Sequence, residues 1–499
     1  MSAPELTRSG LPGAPATTAS LDAPHIVVVG GGVSGLAAAH RLAGAGRGAT
    51  LTLLEASNRL GGKVTSAQLG PHRIDLGAES LMVRGPALGE LLAELDLEQN
   101  LLAPAHAGIH VYARGALREL PPGILGALPD GLLPLLRAGI LSPAGLARAT
   151  FDLLAPRSSI DPDCSVAALI GRRLGRQALE RLFDPLLGTI YGAPCSELSL
   201  HACAPQIAAL AREHRSLTRG LLAAKRPPGA GAGSPLRTLA GGLESLVRHL
   251  HERIAGDVEV RLGAAVTEIA RERDGLRLTL QRDGARAPES VHADHVVIAT
   301  PAPEAARLLA AIAPEASAEL RAIRYTRALS VALRFDPDAL ARQPTSSGFL
   351  VPEQAGRTLG ACTYLSAKWP HIGADGELVM RCSLSRRALL RADEQSDREV
   401  VEALLGDLRA IIGLRAAPRQ SLVARFAAAT PIYAPAHHER IARVRAQLDA
   451  IPELALAGAA YEGIGVPQCI ASGRAAAEQT LARLHQRGRS LRQGAGNPR

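Results

Sequence analysis

The feature that most narrows what this chain can fold into is a short stretch near its start. His25-Ile-Val-Val-Val29 is a β-branched run suited to a parallel strand buried on both faces, and it ends directly at glycine. Gly30-Gly-Gly-Val-Ser-Gly35 follows, strong helix formers run from Leu36 to Ala45, and Ala49 to Leu54 reads as a second strand ending in Glu55. Gly30, Gly32 and Gly35 match G-x-G-x-x-G. The glycines permit the tight turn, let backbone approach a pyrophosphate, and allow close packing of helix on strand. Gly31, Val33 and Ser34 complete the loop, and a helix beginning at Val33 offers free N–H groups and partial positive charge to a phosphate. Glu55 stands where a carboxylate accepts from a ribose hydroxyl, so a βαβ dinucleotide site is expected.

Two later segments extend the same site. Arg59-Leu-Gly-Gly-Lys63 places a guanidinium beside paired glycines, a second backbone approach to phosphate. Leu454-Ala-Leu-Ala-Gly458 reads as a strand entering a glycine loop, and Tyr461-Glu-Gly-Ile-Gly-Val466 leads into a helix from about Pro467 to His485. The start of that helix would stabilise negative charge. Other phosphate and metal chemistry fails on spacing. Gly61-Gly-Lys63 is followed by Val64 and lacks the upstream glycine of a Walker loop, and Ala442 stands where a zinc helix beginning at His438 needs histidine. No metal site and no catalytic acid or base is expected.

The 499 residues suggest about three units at roughly 150 residues per domain. Residues 1–23 read as a flexible leader, and 24–90, 236–310 and 441–486 as three parts of one nucleotide-binding domain. Residues 91–224 read as a helical substrate-facing or membrane-facing insertion. Residues 225–235, rich in Pro and Gly, read as a flexible loop, 311–440 as an α+β substrate domain, and 487–499 as a basic tail.

The net charge of +9 is modest, and Arg487, Arg489, Arg492 and Arg499 put four of its charges in the tail. With aromatic residues at 2%, base stacking is not supplied, so no nucleic-acid partner is expected. Six cysteines without a C-x-x-C are expected to be reduced thiols. The apolar segment 121–156 is interrupted by Asp130, Pro134, Arg137 and Pro143 and is too broken to span a bilayer. It fits a buried helical hairpin or a peripheral contact with the inner face of the cell membrane equally well. The leader lacks the pattern of an export signal, so a cytoplasmic protein is expected. The sequence carries no signal for oligomeric state.

Taken in order, Gly30 to Gly35, Glu55, Arg59 to Lys63, Val266, Ala299-Thr-Pro301 and Gly458 through Gly473 resemble the flavin-dependent amine oxidase and protoporphyrinogen oxidase superfamily. Phe183-Asp-Pro-Leu-Leu-Gly-Thr-Ile-Tyr-Gly192, Leu198-Ser199, Leu239-Ala-Gly-Gly-Leu243 and Lys368-Trp-Pro370 are similar to its bacterial oxygen-dependent protoporphyrinogen/coproporphyrinogen oxidases. So is Thr430-Pro-Ile-Tyr433 with His437, although Ile432 and Ala436 replace the usual glutamine and glycine.

The resemblance implies an α/β fold, with a Rossmann-like, glutathione-reductase-like FAD-binding domain, an α+β substrate domain and a helical insertion. It implies FAD contacts at Gly30, Gly31, Gly32, Val33, Ser34, Gly35, Glu55, Arg59, Gly62, Lys63, Gly77, Ala78, Glu79, Ser80, Val266, Phe426, Ile464, Gly465 and Val466. Phe426 stands where relatives have tryptophan, and Tyr461 to Val466 lacks the cysteine that links flavin in monoamine oxidases, so noncovalent FAD is expected. Arg84 is implied to pair with a substrate propionate, and Gly348, Leu350 and Leu359 to sandwich a tetrapyrrole, while Ser383 replaces an aromatic wall residue.

The implied activity removes six electrons from protoporphyrinogen IX or coproporphyrinogen III in three steps, by hydride transfer to flavin with O2 as acceptor, in heme biosynthesis. Amine oxidases and carotenoid desaturases remain the alternatives. Only 5 Phe, 6 Tyr and 1 Trp are available to build the aromatic cage that an amine oxidase uses.

Overall fold

The computed structural model describes residues 23–46, 48–83, 85–121, 137–154, 163–223, 234–373 and 376–495. His25–Val29 is the centre of a five-stranded sheet. Thr50–Leu54 and then Val258–Arg261 lie on one side, and His295–Ile298 and then Leu454–Leu456 on the other. Every pairing is parallel, with Ile26 opposite both Leu51 and His295. Alternation along the central strand sends Ile26 and Val28 against Leu36, Leu42 and Leu250, and Val27 and Val29 against Ile269, Leu278 and Leu309. Both faces are therefore dry, which is why the strand tolerates no polar residue after His25. Each fully buried Leu or Ile contributes about 1.5–3 kcal/mol.

The helices Val33–Ala45 and Val466–Ala495 pack on the first face. An antiparallel meander of Ala264–Glu272, Gly275–Arg282 and Glu289–Ala293 covers the second. The last helix stays helical through Ala495, beyond the end expected at His485 and into the stretch read as a tail.

A second sheet has seven strands in the order Gln420–Phe426, Ala328–Phe335, Leu378–Leu384, Leu359–Tyr364, Gly348–Leu350, Ile109–Ala113, Ala116–Glu119. Its last two strands correct the reading of 91–224 as helical. Ile109–Ala113 and Ala116–Glu119 form a hairpin that pairs parallel with Gly348–Leu350. The physical signal is the turn Arg114-Gly115, both at positive φ (56° and 78°), the geometry that a two-residue hairpin requires. The rest of the insertion, from Val166 to Ala223, is helical around Leu169, Ile170, Leu182, Leu198 and Leu217.

Among the described residues no helix is long and apolar enough to cross a membrane. Residues 1–22, 47, 84, 122–136, 155–162, 224–233, 374–375 and 496–499 lie outside the described residues, and with them nearly all of the leader, the first half of the 121–156 segment with its last two residues, and most of the Pro/Gly loop.

Candidate functional site

A cavity of about 580 Å³ opens at the carboxyl ends of the parallel strands, where ligands of open α/β sheets bind. Its walls come from segments far apart in sequence: the loop after the first strand, Glu55 and Gly62-Lys63, Ala78, Val266, Thr300-Pro301, and Gly458 to Val466.

The first loop shows why each glycine is needed. Gly30 has φ +106°, a left-handed conformation. A Cβ on Gly35 would lie 1.9 Å from the Gly30 carbonyl oxygen, so the helix can approach the strand only without one. A Cβ on Gly32 would meet nothing within 4 Å, because Gly32 faces the cavity. The helix that starts at Val33 has no side-chain cap and no acid in its first turn, which leaves its N–H groups for an anion.

Glu55 is preorganised by its neighbours. Its Oε2 accepts from the Gly31 N–H at 2.6 Å, and its Oε1 accepts from the Ser57 N–H and hydroxyl at 2.8 and 2.7 Å. The second glycine loop is pinned to the first by the Gly61 N–H donating to the Gly31 carbonyl at 2.8 Å. Lys63 enters the cavity with its Nζ 5.0 Å from the Tyr325 ring centroid, and burial holds its ammonium down to about 8.

Eleven of the expected cofactor residues line the cavity: Gly30, Gly32, Val33, Ser34, Glu55, Gly62, Lys63, Ala78, Val266, Ile464 and Val466. Others act from behind the wall. Gly31 orients Glu55, and Gly35 and Gly77 permit close packing, the latter because a Cβ there would lie 1.9 Å from the Lys63 carbonyl oxygen. The Phe426 ring backs Gly77, and Ser80 and Gly465 are not in the cavity wall.

Two charged residues are placed differently from the expectation. The Arg59 guanidinium turns onto its own loop, donating to the carbonyls of Leu60 at 3.1 Å and Gly62 at 2.5 Å, so it braces the turn and does not line the cavity. Glu79 points away into the second sheet. There its Oε1 accepts from Lys368 Nζ at 2.7 Å and Trp369 Nε1 at 2.9 Å, and its Oε2 pairs with Arg381 at 2.8 Å. Burial would push the Glu79 carboxyl up, but the Lys368 and Arg381 cations outweigh it and bring it down to about 2. Its role in this geometry is to tie the loop 78–80 to the second sheet.

The expected substrate residues also separate. Leu350 packs with Ile432 and Tyr433 on one face of the seven-stranded sheet, while Leu359 is fully buried on the other with Phe349 and Leu404. Leu359 therefore cannot share a sandwich with Leu350: Ala361 is the residue paired with Leu350, and the bulge between Leu359 and Ala361 turns Leu359 to the opposite face. Gly348 sits against the Cys362 carbonyl, 2.1 Å from where a Cβ would be, and is a packing position. Arg84 lies outside the described residues.

Sequence reasoning missed Glu304, Arg307, Tyr325 and Cys469, all on the cavity wall. Glu304 and Arg307 could have been found, because their helix, Ala302–Leu309, begins directly after a strand of the parallel sheet. Tyr325 carries no local signal.

The residues fit a dinucleotide. Besides the uncapped helix and open Gly32, the Thr300 hydroxyl is buried in the cavity wall with no hydrogen-bond partner among the described residues, and a bound group could supply one. A pyrophosphate beside Lys63 would draw a proton back to its amine, so binding takes up a proton and affinity falls as pH rises through about 8. Flavin titrations below and above that pH should show this weakening in the wild type, and uniformly weak binding in Lys63→Met. A flat wild-type profile would remove Lys63 from the phosphate site.

A family profile described as flavin containing amine oxidoreductase matches residues 33–481. The chain is 30% identical to the coproporphyrinogen III oxidase of Bacillus subtilis (strain 168), over 92% of this chain and 98% of that protein. It is 36% identical to the coproporphyrinogen III oxidase of Mycobacterium bovis, over 90% and 95%. A solved structure from Exiguobacterium sp. 255-15, provisionally named a protoporphyrinogen oxidase, superposes with a TM-score of 0.80 at 30% identity, covering 93% of this chain and 100% of that one.

Proposed function

The chain belongs to the family of flavin containing amine oxidoreductases, and on that premise we propose that it oxidises a porphyrinogen in heme biosynthesis, using noncovalent FAD and O2. The reading rests on one observation above all: the similarity to coproporphyrinogen III oxidases runs nearly end to end, through both the nucleotide-binding and the substrate sheets. Coproporphyrinogen III is accordingly the favoured substrate over protoporphyrinogen IX. The amine oxidase alternative is the broader family, and Tyr325 is the one aromatic side chain among the described residues of the cavity wall.

The bound flavin supplies a two-electron acceptor, and six electrons leave the porphyrinogen in three rounds. The chain's own residues hold and orient it. The helix N-terminus at Val33 and Lys63 take the pyrophosphate, Glu55 takes the ribose, and the apolar walls at Val266, Ile464 and Val466 exclude water. Noncovalent attachment is supported by Cys469, the cysteine in the described wall, because burial pushes its thiol up and keeps it protonated and unreactive.

Aerobic incubation of the purified protein with each porphyrinogen should give porphyrin fluorescence well above autoxidation, faster with coproporphyrinogen III. No acceleration with either compound rejects the substrate. Folded protein that takes up no flavin rejects the cofactor as well.

A further inference from the structure

Three segments meet at one buried side chain outside the cavity wall. Tyr433 is 2% exposed. Its hydroxyl donates to the Ala459 carbonyl at 2.5 Å and accepts from the Gly463 N–H at 2.8 Å. These two bonds close the turn between Gly458-Ala459 and Ile464-Val466, the residues by which this loop lines the cavity. Gly458 and Gly463 both have φ +139°, so the loop has little conformational preference of its own and needs an external tether.

The same residue is anchored on two further sides. Its backbone carbonyl accepts from the Ser199 N–H of the helical insertion at 2.7 Å. Its ring stacks on the buried His437 at 3.9 Å between centroids and 15° between planes. Burial brings His437 down to about 4, so the stacked ring is neutral.

We propose that Tyr433 is a positioning residue for the cofactor loop 458–466, and that its bond to Ser199 makes the loop's placement depend on the helical insertion. The proposal rests on the reading of the cavity as a flavin site. It assigns the hydroxyl of Tyr433 the work of holding a wall that the hydroxyl itself does not touch.

Tyr433→Phe keeps the ring and the stack and deletes both loop bonds. In the flavin-loaded full chain, flavin release should be about tenfold faster, amide exchange across 459–466 should rise, and kcat should fall several-fold while KM moves less than about twofold. Tyr433→Leu, which also removes the ring, should add little further loss. Flavin release within about threefold of wild type in Tyr433→Phe overturns the proposal, whatever Tyr433→Leu does. In the wild type itself, the Gly463 amide should exchange slowly, and exchange at the rate of an exposed loop overturns it without any variant. Release and exchange need no porphyrinogen, so these arms still decide the proposal if the substrate assignment fails.

Discussion

Gly35→Ala should yield protein with almost no bound flavin and a clearly lowered unfolding midpoint. The added Cβ would lie 1.9 Å from the carbonyl oxygen of Gly30 and 3.3 Å from the Ala299 Cβ. The first contact is with backbone, and no rotamer relieves it. The helix must back away from the sheet, at a cost of about 1–3 kcal/mol in overpacking or more. Its N-terminus then leaves the position where a pyrophosphate would sit, and a loss of about 3 kcal/mol in binding corresponds to a roughly hundredfold weaker affinity.

Gly32→Ala separates the two effects. Its Cβ enters open cavity, so flavin content should fall while the flavin-free protein keeps the midpoint of flavin-free wild type. Flavin absorbance after gel filtration, read beside thermal unfolding, checks both variants. A Gly35→Ala protein with full flavin and an unchanged midpoint would contradict the packing argument.

Glu79→Ala should destabilise the whole chain by about 3–5 kcal/mol, because it strands the Lys368 and Arg381 cations in a buried place without their anion. The pH dependence has a definite sign. The folded-state carboxyl is depressed to about 2, so its contribution is fully present above the unfolded value of 4.5 and is lost as pH falls toward about 2. Wild type should therefore lose stability through that acid window more steeply than Glu79→Ala. Urea unfolding at neutral and acid pH measures the difference. Loss of flavin with unchanged stability would instead put Glu79 at the cofactor, as the family resemblance implied.

The site was legible wherever its chemistry is local. The turn glycines, Glu55 and Lys63 announce themselves because a phosphate-binding loop needs particular residues within a few positions of a strand and a helix. Residues whose roles depend on direction were less legible. Glu79 sits one position from Ala78, which lines the cavity, yet its carboxylate turns to Lys368, Trp369 and Arg381. Leu350 and Leu359 were read as one pocket, and a bulge between Leu359 and Ala361 places them on opposite sides of a sheet. The hairpin at Arg114-Gly115 escaped notice because its strands are short and their partner, Gly348–Leu350, lies far away in sequence.

Sequence alone determined that this chain sets a glycine loop and an uncapped helix end on a parallel sheet, because steric tolerance at glycine and helix-end electrostatics act over a handful of neighbouring residues. Only the tertiary structure decided which charges serve the cavity and which tie a loop to the second sheet. It also brought Tyr433 to the loop that ends in Val466. The direction of a side chain and the meeting of distant segments follow from how whole layers pack, and no local pattern carries that information.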